Sequence, residues 1–195
     1  MSINAAALSP ALVEAAGSTD VPGIAGWTAI GAVIATWLLT GVPTPTLGTP
    51  LVAVGPVVEG EGQIVYADGG ASLALPLAAA SGSADPAGLA AWAAVGLALG
   101  AWMNSNAVID PSTLVAVPGV NPAPLSGVGA VAFAGSDLGE KLAEAAGSTD
   151  DAGVERWTAV GDAIIDHMSS AAVVNVGTMQ SPGPGGPVTG VGTLA

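Results

Sequence analysis

The sequence predicts an α+β protein made of three tandem copies of one unit of about 65 residues. The first observation is a set of apolar residues at i, i+3, i+4, i+7 and i+11, a spacing that places them on one face of a helix: Trp157, Val160, Gly161, Ile164 and Met168. The second is that this set occurs twice more, earlier in the chain. The third is that each such helix is followed by short Val-rich runs between Gly and Pro, which are typical of strands and hairpins.

The repeat appears when residues 65 positions apart are aligned. Five columns then match: Trp27/Trp92/Trp157, Ile30/Val95/Val160, Gly31/Gly96/Gly161, Ile34/Leu99/Ile164 and Leu38/Met103/Met168. We divide the chain into repeat 1 (1–68), repeat 2 (69–134) and repeat 3 (135–195). A unit of this length buries little core alone, so we expect the copies to pack on one another as a pseudo-threefold body, with stacking in a row as the alternative.

Each unit is predicted to open with a short helix and a turn. Two leucine columns form its apolar stripe: Leu8/Leu73/Leu138 and Leu12/Leu77/Leu142. The glycine that follows in each copy suits a left-handed helix end, and the aspartate three residues later suits the N-cap of the next helix. These residues are Gly17, Gly82 and Gly147, then Asp20, Asp85 and Asp150, with Pro86 at a first helical position. Capping therefore explains the aspartates better than catalysis does.

The long helix of each unit is predicted at about 21–40, 86–105 and 151–170. A glycine inside a helix costs roughly 1 kcal/mol relative to alanine. The column Gly31/Gly96/Gly161 therefore indicates the close approach of another backbone, from the short helix or from a neighbouring copy. A second column reads Trp37, Trp102 and His167. This change of residue type suggests that one copy faces solvent or a different neighbour.

Each unit is predicted to end in a β ribbon. Repeat 2 has apolar runs at 106–110, 114–117 and 127–133, repeat 3 at 172–176 and 190–194, and repeat 1 at 51–54 and 60–66. Hairpins this short are marginal alone, so we expect them to pair with ribbons of other copies or other chains. The Pro- and Gly-rich segments 44–58, 111–124 and 180–187 are the predicted contact surfaces for partners.

Composition excludes several function classes. The chain has 2 Lys and Arg against 15 Asp and Glu, for a formal charge of −13. Nucleic acid and anionic membrane surfaces need a basic footprint, so neither is an expected partner. The absence of cysteine excludes disulfides and thiolate metal sites. Only 9% of residues are charged while 51% are hydrophobic, which suggests that partners cover much of the surface.

Two uncharged stretches raise the question of a membrane span. Residues 23–43 carry no charge, and residues 69–103 carry only Asp85. Against insertion, the third copy of the same helix carries Glu155, Asp162 and Asp166, and no Lys or Arg flanks the first two helices. We therefore expect the first two long helices to be buried in protein on more sides than the third.

No constellation of catalytic residues is evident. His167 is the only histidine, and with Glu155, Asp162 and Asp166 it could form a cation site, but repeats 1 and 2 have no acidic counterparts. We interpret these residues as a solvated helix face. The tryptophans are interpreted as core, with a carbohydrate-binding platform as the alternative. We assign no catalytic, cofactor-binding or metal-ligating residue, and we expect no enzymatic activity and no cofactor.

A resemblance adds a functional expectation. The segments Asp-His-Met-Ser-Ser-Ala-Ala-Val-Val-Asn-Val (166–176) and Gly-Gly-Pro-Val-Thr-Gly-Val-Gly (185–192) follow a helical pair. This arrangement resembles small virion structural proteins of tailed bacteriophages, and the similarity covers repeat 3 best. It implies a non-enzymatic role and location in the virion, with the major capsid protein or tail and neck proteins as partners. We expect a capsid decoration (cement) protein first, then a tail, neck or baseplate component, and then a membrane or cell-envelope protein.

Overall fold

The structure is a computed structural model that describes residues 2–117, 121–183 and 186–195. Within these residues the chain is a mixed α+β protein, as predicted. Three short helices alternate with three long ones, and a 3-10 turn at Ala71–Leu73 leads into the second short helix. The helices are α1 (Ala5–Ala15), α2 (Val21–Leu38), α3 (Ala74–Ser81), α4 (Pro86–Asn106), α5 (Leu138–Ala145) and α6 (Asp151–Ala171).

The three long helices begin at the predicted caps. The side chain of Asp20 accepts a hydrogen bond from the Gly23 amide, and Asp85 and Asp150 do the same for Gly88 and Gly153. The preceding turns contain glycines with positive φ, at 63° for Gly17, 74° for Gly82 and 70° for Gly147. Because a left-handed turn and an N-cap are local devices, the sequence alone is enough to place these helix ends.

Each long helix packs on the short helix that precedes it. The glycines inside the long helices allow the two backbones to approach closely. A Cβ added at Gly31 would lie 2.7 Å from the Cα of Ser9, and one at Gly161 would lie 2.4 Å from the amide nitrogen of Gly139. The predicted close approach is therefore confirmed, and the approaching backbone belongs to the short helix. In the middle pair a Cβ at Gly96 would lie 2.9 Å from the Cβ of Leu73 and 3.0 Å from the carbonyl oxygen of Gly70, which precedes the 3-10 turn.

The strands are short and follow each helix pair in the chain. They are β1 (Val42–Thr44), β2 (Val52–Val54), β3 (Val57–Glu59), β4 (Gln63–Val65), β5 (Ala107–Asp110), β6 (Val115–Ala116), β7 (Ala123–Ser126), β8 (Val128–Phe133), β9 (Val173–Asn175), β10 (Gln180–Ser181) and β11 (Thr193–Leu194).

The strands form two layers. Next to the helices, β1 pairs with β4, and a four-stranded sheet has the order β11-β9-β8-β5. Single backbone hydrogen bonds join these sheets, from Ile109 to Glu61 and from Gly192 to Pro43. Beyond them, the hairpin β2–β3 is inserted between β1 and β4 in the chain, and it belongs to a five-stranded sheet with the order β10-β7-β6-β3-β2. The ribbons thus pair across the chain, as expected for hairpins too short to stand alone.

The outer layer also connects its first and last strands. The segment around Val188 bridges both edges of the five-stranded sheet. The Val188 amide donates to the carbonyl of Leu51 beside β2, while Thr189 exchanges backbone hydrogen bonds with Gln180 of β10. Backbone donors and acceptors at both sheet edges are therefore paired within the chain.

The expected difference in burial between the long helices is wrong. Only 33% of the residues in an 18-residue window of α2 and of α4 are buried, although both helices are long and apolar enough to cross a membrane by length and composition. The same columns are buried in α6, from Val160 to Met168, as in α2, from Ile30 to Leu38. What differs is the outer face. In α2 and α4 the exposed residues are uncharged, mostly small or apolar, whereas most of those in α6 are charged.

Candidate interaction surfaces

The helix pairs meet one another along three seams, each formed by the long helix of one pair and a short helix of another. The seams are α2 with α3, α4 with α5, and α6 with α1. Near the start of the long helices, three half-buried indoles meet: Trp27, Trp92 and Trp157. Their ring centroids lie 6.5, 5.9 and 6.1 Å apart, and each pair is edge-to-face at 65 to 71°. Edge-to-face contacts of this kind stabilise a packed cluster by about 0.5–1.5 kcal/mol per pair.

A polar contact crosses each of the first two seams. The Trp37 indole donates to the carboxylate of Asp68 at 3.2 Å, and the Trp102 indole donates to Asp137 at 2.8 Å. The hydrogen bond from Trp102 is the largest influence on Asp137 and lowers the pKa of its carboxyl. Burial alone would raise the pKa of Asp68, but hydrogen bonds from Ser72, Gly70 and Trp37 together lower it. Both aspartates therefore stay ionised and hold the next short helix against the indole.

His167 occupies the same place in the third seam, which corrects its interpretation as part of a solvated face. Its side chain is only 8% exposed, and its Nε2 accepts a hydrogen bond from the Asn4 amide at 3.4 Å. Asn4 is the N-cap of α1, so the contact again reaches the start of a short helix. Burial lowers the pKa of the His167 imidazole, in keeping with a neutral ring that accepts this bond. Trp37, Trp102 and His167 therefore make one kind of contact, between a long helix and the segment at the start of a short helix, and His167 is not turned to solvent.

The remaining acidic candidates lie beside this seam. Asp162 and Asp166 are exposed on α6, and with Glu14 of α1 they line an open groove of about 460 Å³ that His167 borders. Among the described residues, no three His, Asp or Glu side chains are close enough together to hold a metal ion. Glu155 is exposed farther towards the start of α6. The wet face predicted for these carboxylates is thus confirmed, and His167 is separated from it by burial.

The segments predicted as contact surfaces come together in the outer sheet. Segment 44–58 supplies β2 and the start of β3, segment 111–124 supplies β6 and the start of β7, and segment 180–187 supplies β10. We call the ends of these three hairpins, residues 54–57, 117–124 and 182–187, the hairpin tips. Part of the second and third tips, 118–120 and 184–185, lies outside the described residues. The rest carries exposed apolar groups, among them Val54 at 49% and Val57 at 54%.

Sequence reasoning missed that this sheet has an apolar interior. Its inward residues are nearly inaccessible and, apart from one serine, apolar: Leu51, Ala53, Val58, Leu114, Ala116, Leu125, Met179, Ser181 and Val188. The signal was present as alternation in Val52-Ala-Val54, with the middle residue buried and the last exposed. Strands of two or three residues give too few positions for that alternation to be recognised.

Comparisons with known proteins add no family. No protein-family model matches the chain, and searches of curated proteins and of solved structures gave no significant match.

Proposed function

We propose that the chain is a pseudo-threefold body of three tandem units, and that it serves as a non-enzymatic structural protein of a virion. The observation that carries the proposal is the succession of seams. Each long helix packs on the next short helix along the chain, and α6 packs back on α1. A row of repeats would leave the first and last helices apart. Closure of the last unit onto the first is what a ring of three requires.

The indole cluster supports the same arrangement. Residues related by a threefold axis are equidistant, and the three centroid distances between Trp27, Trp92 and Trp157 differ by only 0.6 Å, from 5.9 to 6.5 Å. The interplanar angles also agree, within 65 to 71°. An axis through the centre of this cluster would relate the three helix pairs.

Glycines in the outer sheet give independent support. Gly60, Gly127 and Gly190 each follow an outward-turning strand residue, with φ of 98°, 89° and 90°. A Cβ at each would meet the carbonyl oxygen of Pro50, Thr113 or Thr178, at 2.3, 2.3 and 2.2 Å. These glycines are 67 and 63 residues apart. Because the spacing is not constant, the equivalence lies in backbone conformation and not in one fixed repeat length.

A single chain with threefold character suits a threefold or quasi-threefold position on a protein shell, where three identical neighbours surround one site. We therefore favour a capsid decoration (cement) protein that contributes to particle assembly and stability. The major capsid protein is the proposed partner. A tail, neck or baseplate component is the second proposal, because a threefold-related body also fits a rotationally symmetric tail.

A membrane or cell-envelope role remains a third proposal, since α2 and α4 are long and apolar enough to span a bilayer and are each only 33% buried. The test is flotation of the purified chain with liposomes of neutral and anionic lipid. Migration with the lipid would favour the envelope proposal. Recovery of the chain in the lipid-free fraction, as a folded monomer, would favour the proposal of a capsid decoration protein.

The virion proposal itself is tested on particles. Quantitative mass spectrometry of purified virions from the producing cells should find this chain at a copy number tied to lattice symmetry. A number near the count of threefold positions indicates decoration, and a small multiple of the tail symmetry indicates a tail or neck component. A chain that is abundant in the cells and absent from the particles contradicts both.

A further inference from the structure

We draw no further inference here: the strongest candidate, the open groove between α6 and α1, consists of the exposed carboxylates of Glu14, Asp162 and Asp166 beside the His167 imidazole, which already accepts a hydrogen bond from the Asn4 amide, and nothing in the structure shows what would occupy it.

Discussion

Helices α2 and α6 are buried alike and look different in sequence. In both, the residues that face the core follow the same spacing, and Ile34 and Ile164 occupy the same position in it. On the outer side, α6 carries Glu155, Asp162 and Asp166, whereas the exposed residues of α2 are uncharged, mostly Ala, Thr and larger apolar residues. Helix α4 resembles α2. The core positions are held in common, and the solvent side is free to vary.

The absence of charged residues from a helix therefore does not mean that the helix is buried. Soluble proteins expose much apolar surface, so an outer face of alanine and threonine is compatible with water. The amphipathic pattern is visible in α6 because charged residues contrast with its core residues. In α2 and α4 the core residues follow the same spacing, but the outer residues are uncharged and do not stand out from them. Only alignment with α6 reveals the pattern.

The largest effects are expected in the shared core column. Ile34→Ala, Leu99→Ala and Ile164→Ala each remove a side chain that is at most 4% exposed. Each should lower the free energy of unfolding by about 2–5 kcal/mol, measured by chemical denaturation. Leu97→Ala, at a residue of α4 that is 50% exposed, is the control and should change little. A much smaller loss for Ile164→Ala than for the other two would mean that α2 and α4 are buried more deeply than α6.

Replacement of a glycine on a long helix by alanine should raise or lower stability according to the space available for the added Cβ. Gly161→Ala would place a Cβ 2.4 Å from the Gly139 backbone and should destabilise by about 1–3 kcal/mol, despite the better helix propensity of alanine. Gly26 has only a carbonyl oxygen 3.9 Å away, so Gly26→Ala should stabilise by up to about 1 kcal/mol. Thermal unfolding of both variants measures these two stability changes. An equal shift in the same direction would contradict the close approach of α5 to α6.

The caps and helices were predictable because their causes are local. Asp20 and Gly17 are recognisable from residue type and position alone. Four strands were not recognised as separate strands, β1, β3, β7 and β10. Runs of two to four residues hold too little pattern, and β3, β7 and β10 also pair with strands that are distant in the chain. The burial of His167 was also missed, because it depends on α1, whose N-cap residue Asn4 lies 163 residues earlier in the chain.

The third seam should respond to pH in a way that the first two do not. Burial lowers the pKa of His167 in the folded protein, while the unfolded chain takes up its proton near pH 6.5. The unfolded state therefore binds more protons as the pH falls from about 7 to 5, and stability that is full above pH 6.5 is progressively lost. Asp68 and Asp137 have lowered pKa values, so their contribution is lost only at more acidic pH.

His167→Gln is the matched variant for this effect. The glutamine amide oxygen can still accept a hydrogen bond from Asn4, but it does not titrate. We expect the free energy of unfolding of the wild type to fall more between pH 7 and pH 5 than that of the variant. Parallel pH profiles for the two proteins would show that His167 is not held neutral in the seam.

The smallest effects are expected on the outer faces. Ala25 and Ala90 are exposed and stand 130 and 65 residues before Glu155. Ala25→Glu and Ala90→Glu transfer the charge of α6 onto α2 and α4. Each should change the free energy of unfolding by less than about 0.5 kcal/mol, because a surface site away from the core tolerates substitution. A loss of several kcal/mol, or failure to fold in the absence of lipid, would mean that these faces are covered by protein or by a bilayer.

The proposed equivalence of the three units is tested most directly by a crystal structure of the full chain. A rotation of about 120° around an axis through the indole cluster should superpose α1–α2 on α3–α4 and then on α5–α6. Trp27, Trp92 and Trp157 should again form a triangle with sides close to 6 Å. Helix pairs arranged in a row, or the three indoles in separate environments, would contradict the account.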